Sequence, residues 1–237
     1  ASMDGRSAET LRAAREFASA ASPEMIKAMP DMETAPVAPM VALVRFGKWD
    51  EVLAVAPAPP DWIYTRGVRH YARGLAFNAK GQAAEARREL GELDAVIRSV
   101  PAERTLAFFF RTTNVLQLAA NVLAGEIAAK AGDFVTAERL LRAAVEEQDT
   151  HWFTEPPPWY FPVRQALGAV LLQANRPRDA EAVYREDLKR NPGNGWSLFG
   201  LAQSLRAQGN AAEAARVEED FRKAWARADV RLTSSRF

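Results

Sequence analysis

Cysteine is absent from the 237 residues. That excludes disulfide staples, thiolate metal sites and a cysteine nucleophile together. Also missing is any run of 18 apolar residues free of charge, so no membrane span is expected. Neither charge sign dominates: 31 basic side chains stand against 30 acidic ones, and both are scattered along the chain. A nucleic-acid surface would need a basic excess, so no nucleic-acid partner is expected. The cluster Arg185 to Arg190 carries both signs and reads as a solvated helix face. No secretory leader is visible.

Histidine is almost as scarce, with only His70 and His151, and no HExxH or other metal-ligand pair is present. No serine lies in a G-x-S-x-G context, no glycine-rich phosphate loop follows a strand, and no strand is convincing. The expectation is a protein without catalytic residues, metal or cofactor. His70 reads as a packing residue between helices, and His151 as a partner for a loop carbonyl.

What the chain does have is alanine, 48% hydrophobic residues, and 13 glycines and 14 prolines, many of them between apolar stretches. Such a mixture favours short helices separated by turns, an all-α fold. A regular ruler emerges when the reversal inside each helix pair is set to zero. Gly5, Gly47, Gly81, Gly132, Asn175 and Gly209 serve as zeros, separated by 42, 34, 51, 43 and 34 residues. Seven before zero a close helix approach calls for a small residue, supplied by Gly74, Gly125, Gly168 and Ala202. Four before zero comes an apolar residue: Leu43, Phe77, Ala128, Leu171 and Leu205. Two after zero, Trp49 and Phe134 plug the hairpin, and five after zero Ala86, Ala137, Ala180 and Ala214 are again small. Leu90, Leu141 and Tyr184 seal the joint nine after zero, where Glu218 does not, and Pro192 stops one second helix.

The stretches G-x6-G-x-F-x2-A (Gly125 to Ala137) and L-G-x6-N-x4-A-x3-Y (Leu167 to Tyr184) resemble the tetratricopeptide repeat. Hairpins are placed at about 1–20, 33–60, 67–98, 118–149, 161–194 and 195–228, with an insertion at 150–160. In the 33–60 segment Pro36 and Pro39 are expected to interrupt the first helix. VRFGKWDEVL (44–53), EPPPWYFPVRQALG (155–168) and NGWSLFGLAQSLRAQG (194–209) resemble the C-terminal half of a family of long bacterial tetratricopeptide proteins. The resemblance implies a right-handed superhelix of antiparallel helix hairpins, an α-solenoid. It leaves the compartment open between a bacterial cytoplasm and periplasm.

Such a stack implies a concave inner face lined by first helices. The inward positions there are Tyr71, Asn78, Glu126, Lys130, Gln165, Gln173, Trp196, Phe199, Gln203 and Arg206. The expected partner is a protein or peptide segment held by Tyr71, Trp196 and Phe199 as anchors, with the amides and Arg206 fixing register. The chain's own N-terminal half or a second copy is a further candidate partner, because the first hairpin lacks its first helix and cannot bury its apolar face alone. The insertion carries Trp152, Phe153, Trp159, Tyr160 and Phe161; these rings either cover a joint or, as Trp159 and Tyr160 with Trp196 and Glu155, rim a pocket. Met25, Met29 and Met32 either offer thioethers to Cu(I) or fill an irregular joint. Phe221, Ala224, Trp225 and Ala228 form an apolar stripe on a last helix that reads as a solenoid cap, and the polar tail from Arg231 to Phe237 is too short to fold alone.

Overall fold

The reversals show most directly how this sequence folds. In the computed structural model, which describes residues 1–107, 109–150 and 157–237, all six zero residues adopt positive φ, from 56° at Asn175 to 83° at Gly132. A β-carbon is disfavoured in that left-handed region, and asparagine is among the few side chains that tolerate it. At five of these turns the next residue's N–H closes on the carbonyl four before zero, from Lys48 to Leu43 through Asn210 to Leu205, at 2.9–3.0 Å. One hydrogen-bonded turn, repeated, ends each first helix and aims the next one back.

The fold is all-α, with twelve α-helices among the described residues. They are α1 (Ser7–Ser19), α2 (Pro23–Ala28), α3 (Thr34–Arg45), α4 (Trp49–Ala54), α5 (Ile63–Ala79), α6 (Ala83–Ser99), α7 (Thr112–Lys130), α8 (Phe134–Asp149), α9 (Arg164–Gln173), α10 (Pro177–Arg190), α11 (Gly195–Ala207) and α12 (Ala211–Ala224). Consecutive helices from α3 to α12 pair as five hairpins, and each hairpin's first helix packs on the hairpin before it. α1 packs on α3 in the manner of a second helix.

Glycines set the spacing at the joints. Leu116 and Leu123 of α7 fill the space left by Gly67 and Gly74 of α5, where an added β-carbon would sit 2.6 and 2.5 Å from a leucine methyl. Tyr184 of α10 lies between Gly168 of α9 and Gly200 of α11, with 2.3 Å from either site's β-carbon position to its ring. One fully buried ring thus locks three helices.

Three expectations need correction. α3 is continuous through both prolines: Pro36 lies in the first turn, whose N–H groups have no intrahelical acceptor, and Pro39 forgoes one bond. Two short strands do occur, Thr105–Leu106 and Phe110–Arg111, paired antiparallel between α6 and α7. The apolar stripe is not all on the last helix: Phe221 and Ala224 lie on α12, and Trp225 and Ala228 in the turn after it. A β-carbon at Gly5 would lie 2.4 Å from Trp225 and 2.8 Å from Ala228, so the start of the chain packs on the turn that follows α12.

The stack therefore closes on itself. Trp196 Nε1 donates to the Ser2 carbonyl at 2.9 Å, and Phe46 and Trp196 lie 6.4 Å apart. Asp229 accepts from the N–H groups of Ser7 and Ala8, at 2.7 and 2.9 Å, at the positive end of α1. Those two bonds, first from Ala8, hold its carboxyl below the ordinary range.

Candidate functional site

The inner face is lined by first helices, and it is filled. After α12 the chain turns through Trp225, whose Nε1 donates to the Val230 carbonyl, and its last residues run across α7 and α9. Ser235 Oγ donates to the Gln165 carbonyl at 3.0 Å and meets the Tyr184 hydroxyl at 2.6 Å. Arg236 donates to Glu126 Oε2 at 2.6 Å and Gln173 Oε1 at 2.9 Å. Phe237 sets its ring edge-on to Trp49 (5.8 Å) and Phe161 (6.0 Å).

Beneath the tail lies Arg45, from the end of α3, only 3% exposed. Its guanidinium stacks 3.9 Å from the Trp196 ring and 5.2 Å from Phe161, and donates to Gln165 Oε1 at 2.6 Å. No carboxylate is hydrogen-bonded to it among the described residues. Burial pulls its pKa down to about 9, against the attraction of Asp187. Nε and Nη2 of Arg45, Nε2 of Gln165 and Nε1 of Trp159 are all buried without a hydrogen-bond partner among the described residues. Such groups are rare in folded proteins and each calls for an explanation.

Two other buried charges, Asp187 and Glu33, are different. Asp187 is held by Asn191, Asn194 and Ser197, which fixes the entry to α11. Glu33 accepts from the Thr65 backbone and hydroxyl and from Arg104, joining α3 to α5. Burial raises both carboxyls above their ordinary values. These two are structural clamps.

The predicted groove residues separate into three groups. Tyr71, Asn78, Glu126, Gln165 and Trp196 are buried by the chain itself. Asn78 Nδ2 donates to the Glu126 carbonyl and ties α5 to α7, while Tyr71 packs edge-on against Trp159 at 5.2 Å. Trp196 is held by Arg45, Trp225 and Ser2, so it offers no open anchor. Lys130, Gln173 and Gln203 are exposed, and Gln173 alone of these is seen holding the tail. Phe199 packs on Phe221 and Arg206 pairs with Glu218, both across the last hairpin rather than toward a ligand.

Of the candidate pocket, Glu155 lies outside the described residues, as do His151, Trp152 and Phe153. Trp159 is buried at the centre, and Tyr160 joins its hydroxyl to that of Tyr64 at 2.9 Å. Both border a cleft of roughly 340 Å³ together with Gln148, Arg164 and Arg190. Asp149 already pairs with both arginines there, at 2.6 and 2.8 Å. His70 meets Glu89 Oε2 at 2.7 Å alongside Arg73, a cluster between α5 and α6 in which Glu89 is buried. Met25 and Met29 are exposed. No group of three or more His, Asp or Glu side chains suited to a metal ion occurs among the described residues, and none of their helices is long and apolar enough to cross a membrane.

Sequence reasoning missed Arg45 and the tail. Lys130 and Gln173, both expected to point inward, lie two before Gly132 and Asn175, and the same offset from Gly47 falls on Arg45. No repeat frame reaches residues 229–237. No protein-family model matches the chain, and no curated protein matches it.

Proposed function

We propose that this chain is a tetratricopeptide-type scaffold whose inner face receives an extended peptide segment. The supporting observation is that a segment of this kind already lies there: residues 235–237 are held by a backbone carbonyl, a carboxylate, an amide and two aromatic rings. Mixed backbone and side-chain capture of that sort is how extended peptides are recognised. The receiving groups are Glu126, Gln165, Gln173, Trp49 and Phe161, and not the Tyr71, Trp196 and Phe199 anchors expected from the sequence. Charge chemistry follows from Glu126: the incoming segment carries a cation where Arg236 now sits, beside an aromatic residue.

A tethered segment competes at an effective concentration in the millimolar range. The full chain carrying Arg236→Ala and Phe237→Ala should therefore bind a fluorescein-labelled peptide of sequence DVRLTSSRF at least about tenfold tighter than the unaltered chain does. Fluorescence anisotropy reads this directly. Absence of binding to the altered chain at millimolar peptide would discard the reading.

A further inference from the structure

Beside Arg45 the inner face leaves a void of about 10 Å³, bordered by Arg45, Trp159, Gln165, Arg236 and Phe237 among others. We propose that this void is a binding site for a monatomic anion of the halide class. The inference does not depend on peptide binding.

Hydrogen-bond chemistry comes first. Three of the bordering residues carry the unpaired groups: Nε and Nη2 of Arg45, Nε1 of Trp159 and Nε2 of Gln165. The residues are 3%, 2% and 1% exposed, so bulk water does not satisfy them. Every one of these unpaired atoms is a donor. The oxygen of that same side-chain amide, Gln165 Oε1, already accepts from Arg45. A water molecule placed among them would bring two hydrogens of its own to a surface of donors. A halide only accepts, and it takes several N–H groups at once.

Charge points the same way. Arg236 is neutralised by Glu126, while Arg45 has no hydrogen-bonded carboxylate among the described residues. Stacking on Trp196 and Phe161 compensates part of the lost hydration of the cation. A buried guanidinium keeps its proton and so still requires a counter-charge. Size then selects the ligand. About 10 Å³ accommodates one water-sized centre. Carboxylate and phosphate groups, with three or more heavy atoms, need Phe237 displaced; a single ion does not.

The test uses the full chain exchanged into gluconate buffer and titrated with chloride, bromide or iodide at constant ionic strength. The melting temperature should rise and saturate with chloride and bromide, because a ligand held only by the folded state stabilises it. Iodide should quench part of the tryptophan emission saturably, since Trp159 borders the void and Trp196 stacks on the same guanidinium. Arg45→Met should weaken the apparent halide affinity at least about tenfold, as loss of a charged donor does. Gln165→Leu, which keeps the cation, should weaken it less and serves if the first variant does not fold. Identical melting in chloride and gluconate with strictly linear quenching would overturn the proposal, as would an unaltered halide response in either folded variant.

Discussion

The joints of the stack and its centre are built by different means. At a joint, Leu123 enters the space above Gly74, or Tyr184 the space between Gly168 and Gly200, and each contact joins neighbours in the chain. The polar atom in these contacts, the Tyr184 hydroxyl, finds Ser235. At the centre, Arg45, Trp159, Gln165 and Phe237 come from four distant segments and leave donors unpaired. Repetition thus supplies stability cheaply and locally. A binding surface needs polar groups that the fold itself does not consume, and only the non-repeating parts provide them.

The largest effect should come from the joints. Leu123 is fully buried against Gly74, and Leu123→Ala leaves a cavity that two rigid helices close poorly. Urea denaturation should show a loss of about 3 kcal/mol, within the range for buried leucines. A loss below about 1 kcal/mol would mean that the joint relaxes, and the contrast with the centre would fail.

The joints were also the legible part. A reversal needs one residue at positive φ and a helix crossing needs one small side chain; both are local demands that leave a mark at fixed spacing. Asn175 shows how far this goes, since a non-glycine was placed correctly in a left-handed turn. Arg45 was half legible: its inward position follows from Gly47, but the departure of the 33–60 segment from the repeat pattern obscured it. Nothing local announces that Asp229 will cap α1, more than 220 residues away, or that Arg236 will reach Glu126. Closure of the stack depends on the sum of small rotations at every joint, and no single residue encodes that sum. The open trough expected from the repeat is filled for the same reason.

The next effect probes the centre. Arg236→Ala removes the cation from Glu126, a side chain 7% exposed whose Oε1 already lacks a partner among the described residues. Breaking such a pair costs more than the pair contributes, because the remaining charge stays buried. Since Arg236 itself is 13% exposed and the tail can lift away to admit water, the loss should be about 1–2 kcal/mol. Hydrogen exchange should rise along α7 and α9 near the tail and stay unchanged in α5 and α6. Uniform exchange increases across all hairpins would show that tail and stack are one cooperative unit.

Acidification gives the smallest effect and separates the two kinds of carboxylate. Burial pushes Glu89 up, but hydrogen bonds and charge from His70 and Arg73 outweigh it and hold its pKa below 4.5. Its stabilisation is therefore complete above 4.5 and disappears as pH falls through the lower folded-state value. Glu33 and Asp187 are shifted upward by burial, so their folded forms take up protons first and gain stability as pH falls toward their ordinary values. Melting temperature should thus gain from the buried pair before it loses from Glu89, and Glu89→Gln should remove only that later loss. Because His70 and Arg73 beside Glu89 remain 20% and 21% exposed, solvent screens the cluster and the difference should stay under about 1 kcal/mol. If the variant and the unaltered chain lose stability equally below pH 4.5, the Glu89 cluster contributes nothing.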